Sequence, residues 1–129
     1  MDYRGVIIEE SLENAEALKK VKLLWTNVEG VTDSHDTPWL KKWTLHHVLV
    51  PEEEAEAAAK ILSESLDKER PWYADFKNES THFVVFRDKV FKINRESKEE
   101  YKEAVRYGLS LGIPAHQLDF SPDIRDWKR

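Results

Sequence analysis

The spacing of hydrophobic positions changes several times along the chain, and each change marks an element. Between Tyr3 and Glu10 (YRGVIIEE), Val6, Ile7 and Ile8 stand in a row, short enough and β-branched enough for a strand. Ser11 follows where an N-cap would stand. Leu12, Ala15, Leu18 and Val21 then recur at nearly helical spacing, which predicts a short helix to about Lys20. Val21 to Val31 alternates, with Lys22, Leu24 and Thr26 on one face, Leu23, Trp25 and Asn27 on the other, and Gly30 at its end. Asp33 to Leu40 has the composition of a loop, and Trp43 to Val50 (WTLHHVLV) returns to strand with both faces apolar enough to lie inside a sheet.

Pro51 with Glu52, Glu53 and Glu54 makes a helix start, because Pro loses no bond there and the carboxylates face the positive end of the helix dipole. The predicted helix runs to about Leu66, with Ala55, Ala58, Ala59, Leu62 and Leu66 as its apolar stripe. The stretch WYADFKNESTHFVVFRDKVFKIN, Trp72 to Asn94, is crowded with aromatic and β-branched residues. Asn78-Glu79-Ser80 and Arg87-Asp88-Lys89 divide it into three strands of a meander. Ser97 and Glu100 then form a capping box, Tyr101, Ala104, Val105 and Gly108 mark one helical face, and Gly112, Ile113 and Pro114 close the helix.

The predicted order is β-α-β-β-α-β-β-β-α, an α+β fold with a mostly antiparallel sheet and its helices on one face. The first six elements match the split β-α-β, ferredoxin-like plait, with a C-terminal meander and helix added; another mixed or antiparallel sheet is the competing arrangement. No repeat or low-complexity linker divides the chain, so one domain is expected over residues 1–121, with residues 122–129 fraying after the anchors Leu118 and Phe120.

Composition narrows the chemistry. A chain of 129 residues can bury a core without staples, and the absence of Cys removes thiol chemistry and thiolate zinc sites while suiting a reducing compartment. No apolar run approaches the roughly 20 residues that span a bilayer, and MDYRGVIIEE lacks the pattern of a secretory leader, so a cytoplasmic setting is expected. The net charge of −5 opposes attraction to phosphate backbones and anionic membranes, which disfavours nucleic acid. Glycine-rich phosphate loops, G-x-S-x-G, H-E-x-x-H and dinucleotide fingerprints are all missing, and no cofactor is expected.

The runs WYADFKN from Trp72, FRDKVFKI from Phe86 and YGLSLGIPAHQLDF from Tyr107 resemble motifs of a family of small conserved prokaryotic proteins of uncharacterised function. The resemblance covers roughly the C-terminal half. It implies a free-standing small domain and brings no assigned catalytic residue with it.

The strongest polar constellation lies in the meander. With Glu79-Ser80 as a two-residue turn, Lys77 pairs with His82, Asp75 with Val84 and Tyr73 with Phe86, so that Tyr73, Asp75, Lys77 and His82 share a face. Trp72, Ala74, Phe76, Phe83 and Val85 share the other. His82 could carry a proton near neutrality with Asp75 as its orienter, while Tyr73 and Lys77 bind or stabilise negative charge. The plainer reading is a half-solvated sheet face with cross-strand polar pairs. His46 is a second candidate proton carrier; His46 and His47 point to opposite faces of a strand and cannot chelate one ion. Asp33, His35 and Asp36 match no metal motif, and no metal is expected. Trp39 and Trp43 flank two lysines and form an aromatic edge that could stack bases, contact a protein or line a pocket. The leading expectation is therefore a domain that binds a small molecule or a protein partner, with homodimerisation through a sheet face or edge. The alternative is a metal-independent acid/base enzyme, an isomerase or hydrolase, and nucleic-acid binding comes third.

Overall fold

A computed structural model describes residues 1–32, 37, 39–118 and 120. The frayed tail expected over 122–129 and the loop residues Asp33, His35 and Asp36 lie outside the described residues. The described chain forms β1 (Tyr3–Ile8), β2 (Lys22–Gly30), β3 (Lys42–Val50), α1 (Ala55–Ser65), β4 (Tyr73–Lys77), β5 (Thr81–Phe86), β6 (Lys89–Asn94) and α2 (Lys98–Ser110). The strands make one six-stranded sheet in the order β2-β3-β1-β4-β5-β6. Every pairing is antiparallel. No helix among the described residues is long and apolar enough to cross a membrane.

The order of β2, β3, β1 and β4 is the one a split β-α-β plait would have, but the first connection is not an α-helix. Ser11 turns its hydroxyl back to the Ile8 carbonyl at 2.5 Å instead of capping, and Leu12 bridges to Leu66. Asn14 caps the 3-10 segment Ala15–Lys20 that follows. Leu12 and Leu18 are half-buried, but the buried alanine is Ala17 and Ala15 is exposed, so the helical spacing of Leu12, Ala15 and Leu18 does not describe this tight 3-10 connection.

The expectation of helices on one face is corrected. Phe83 and Val85 of β5 belong to the core with Ala55, Ala58, Ala59 and Leu62 of α1, whereas Val84 and Phe86 belong to a second core with Tyr101 and Ala104 of α2. Adjacent strand residues point to opposite faces, so the two helices cover opposite sides of the sheet. The unbroken apolar run Phe83-Val84-Val85-Phe86 is the corresponding sequence signal, since a strand covered on both faces shows no alternation.

Several local rules hold in detail. Ala55, Ala58 and Ala59 of α1 are almost fully buried. Pro51 caps a 3-10 turn, Glu52–Glu54, that leads into α1. Ser97 Oγ accepts the Glu100 amide at 3.2 Å, but Glu100 returns its carboxylate to the Asn94 amide at 3.5 Å, so only half of the capping box forms. At the other end, Ile113 N–H donates to the Gly108 carbonyl and Gly112 N–H to that of Leu109, with Gly112 at φ 92°, the Schellman ending.

Candidate functional site

The site begins with the β4–β5 hairpin. The Asn78 amide donates to the Thr81 carbonyl at 3.0 Å, leaving Glu79-Ser80 as the turn. Neither turn residue has positive φ. Asn78 supplies what the sequence of the turn lacks, because its Oδ1 accepts the Ser80 and Thr81 amides at 3.0 and 2.8 Å. The resulting register pairs Lys77 with His82, Asp75 with Val84 and Tyr73 with Phe86. β4 is held from its other side by β1, where Gly5 faces Phe76 and an added Cβ would come within 2.0 Å of the Asp75 carbonyl oxygen. Only glycine lets these two strands approach so closely.

On the α2 side of this hairpin, Asp75 and His82 are each 1% exposed. His82 Nε2 and Asp75 Oδ2 lie 2.8 Å apart, and His82 Nδ1 lies 3.0 Å from the Tyr101 hydroxyl. Arg95 is anchored to the Asn78 carbonyl at 2.6 Å, and its charge acts on Tyr101 against the effect of burial. The direction of this chain follows from its carboxylate end. A carboxylate can only accept, so Nε2–H donates to Asp75. In a neutral ring Nδ1 is then the acceptor and takes the Tyr101 proton. Burial holds the imidazole below its ordinary pKa even though Asp75 pulls it upward, which fits a neutral ring with one proton. Burial also raises the Tyr101 pKa and keeps the phenol protonated.

Asp75 is the end of the chain and also part of a cavity of about 220 Å³. Val6, Ile8 and Leu45 give it aliphatic walls, and Trp43, Trp72 and Tyr73 give it aromatic ones. Glu29, His116 and Gln117 complete the lining. Tyr73 ties the segment carrying Gln117 to the sheet by donating its hydroxyl to the Gln117 carbonyl. Among the described residues, His82 is the sole hydrogen-bond partner of the Asp75 carboxylate. The Trp72 indole N–H is buried without a partner among those residues.

The sequence-predicted residues thus separate. Asp75, Tyr73 and Trp43 meet at the cavity, and His82 stands behind Asp75, where it can act on a bound molecule only through that carboxylate. Lys77 lies in a different, open depression with Arg4 and Arg95. His46 belongs to the opposite face of the sheet, bonded to Thr26 Oγ1 at 2.8 Å and Glu9 Oε1 at 2.9 Å, away from the proton chain it was set beside. Trp39 is 42% exposed under the Arg70 guanidinium and is absent from the cavity lining. His47, on the Asp75 face, stacks on Trp25 with centroids 4.3 Å apart, and burial lowers its pKa.

Sequence reasoning missed Tyr101 in the chain and Val6, Ile8, Glu29, Leu45, His116 and Gln117 in the cavity. Tyr101 was legible as a buried position of α2, but not the sheet face it would meet. No group of three or more His, Asp or Glu among the described residues is placed to hold a metal ion. No family model, no curated protein and no solved structure matches the chain.

Proposed function

We propose that the protein binds a small molecule in the cavity over Asp75. The observation that supports this most is a buried carboxylate with a single protein partner on the wall of an otherwise largely apolar cavity, the composition typical of ligand sites. A carboxylate that served structure alone would have more of its lone pairs satisfied by the protein. A chain without Cys suits a reducing compartment, and this reading assumes a cytoplasmic setting.

The test is a fragment screen by ligand-observed NMR on the wild-type protein and on a cavity-filling variant, Val6→Phe. Hits that compete with one another and vanish in a folded Val6→Phe protein support the site. Hits that persist in that variant place binding elsewhere.

Two observations favour further readings. β2 is an edge strand that exposes Leu23, Trp25 and Val28, which supports a protein partner or a second copy of the chain at that edge. The 2.8 Å contact of His82 with Asp75 supports the acid/base alternative, with Asp75 touching the substrate and His82 as its proton relay. A concentration-dependent mass in solution would favour the first.

A further inference from the structure

We propose that the ligand is an organic cation: a single aromatic ring or compact apolar body carrying a protonated amine on a short arm, with the amine donating to Asp75. This rests on the cavity reading above and narrows it to a chemical class.

Size sets the first limit. A cavity of about 150 Å³ takes a benzene. The roughly 220 Å³ over Asp75 therefore suits one ring with a short arm. Charge sets the second. Asp75 and Glu29 are acidic, and neither Lys nor Arg lines the cavity among the described residues, so an anion meets repulsion and a cation does not. The protein's net charge of −5 acts in the same sense at longer range.

Hydrogen-bond direction sets the third. Tyr101 donates to His82 and His82 to Asp75, so the carboxylate accepts from behind and is available to accept again from the cavity. At Asp75 itself a ligand acceptor would find no donor, whereas an ammonium group supplies one; the Trp72 indole N–H, elsewhere on the lining, is a donor for a second polar atom of the ligand. The aromatic faces of Trp43, Trp72 and Tyr73 complete the selection, since their negative faces attract cations and stack on apolar rings. Tyr101 and His82 are positioning residues in this scheme; Asp75 is the group that touches the ligand.

The experiment uses three matched probes, phenethylamine, 2-phenylethanol and 3-phenylpropanoate, titrated into the full-length protein by calorimetry at neutral pH. The proposal expects the amine to bind at least about tenfold tighter than the alcohol, the carboxylate to bind weakest, and Asp75→Asn to bring the amine to the level of the alcohol. Equal binding of amine and alcohol, or preference for the carboxylate, overturns the cation while leaving the cavity as a ligand site. Binding of none of the three overturns both. The ranking on the wild-type protein decides the matter even where Asp75→Asn does not fold.

Discussion

The two faces of the sheet use the same strands for different ends. On the α1 side, Phe76, Phe83 and Val85 meet Ala58, Ala59 and Leu62, and the contact is carbon against carbon. On the α2 side, Val84, Phe86 and Ile93 meet Tyr101 and Ala104 in the same way, but Tyr101, His82 and Asp75 run a polar chain along that core to a cavity. The α1 face holds the fold chiefly by burial, and its buried polar groups His46 and Ser63 have their partners in Thr26, Glu9 and the Phe86 carbonyl. The polar face accepts the cost of desolvating a carboxylate and an imidazole, which is offset only when each polar atom has a partner. On the reading proposed above, the ligand binds on the side where the Asp75 carboxylate has a single partner among the described residues.

The comparison can be broken first on the apolar side. Phe83→Ala should cost about 3–5 kcal/mol in urea unfolding, the range for a large aromatic removed from a packed core. What remains folded should still bind cavity ligands, so binding per folded molecule separates the faces. On the polar side, Asp75→Asn keeps the shape and one acceptor for His82 but loses the charge. Its expected cost is smaller, about 1–3 kcal/mol, with loss of ligand binding. A stability loss equal to that of Phe83→Ala, with binding intact, would make the carboxylate purely structural.

A pH series sharpens the same contrast. Because burial lowers the His82 pKa, the unfolded chain takes up a proton near its ordinary value of about 6.5 that the folded chain refuses. The unfolded state then binds more protons, so this contribution is fully present above about pH 6.5 and is lost as pH falls toward the folded value, with a slope of at most about 1.4 kcal/mol per pH unit. Denaturant midpoints of wild type and His82→Gln compared between pH 7.5 and 5 should converge as pH falls; parallel curves would remove His82 from the account. The smallest effect expected is that of Ser97→Ala, about 1 kcal/mol from loss of the α2 cap, with no change in ligand preference. An unchanged midpoint would mean that water replaces the hydroxyl.

Much of this was legible in the sequence because it is local. The pairing of Lys77 with His82 follows from the length of the Asn78-to-Thr81 connection and the alternation on either side, and the end of α2 follows from Gly112. What was hidden depends on distant parts of the chain. The apolar stripe of α2 shows that Tyr101 is buried, but the choice of sheet face is made by the run from Asn94 to Ser97 and by anchors such as Leu118 and Phe120, which join the same core. Likewise Val6, Leu45 and His116 come from three separated segments, and no spacing within any one of them announces a shared cavity. His46 misled because its polarity is spent on Thr26 and Glu9, partners supplied by other elements.

The central claim is that the chain through Tyr101 and His82 donates toward Asp75. It is tested most directly by nitrogen-15 NMR of the His82 ring at neutral pH. The account predicts a neutral imidazole protonated at Nε2, with Nδ1 accepting from Tyr101. A neutral ring with its proton on Nδ1 would reverse the chain, and a charged ring would itself neutralise Asp75; either removes the reason for placing a ligand cation against Asp75.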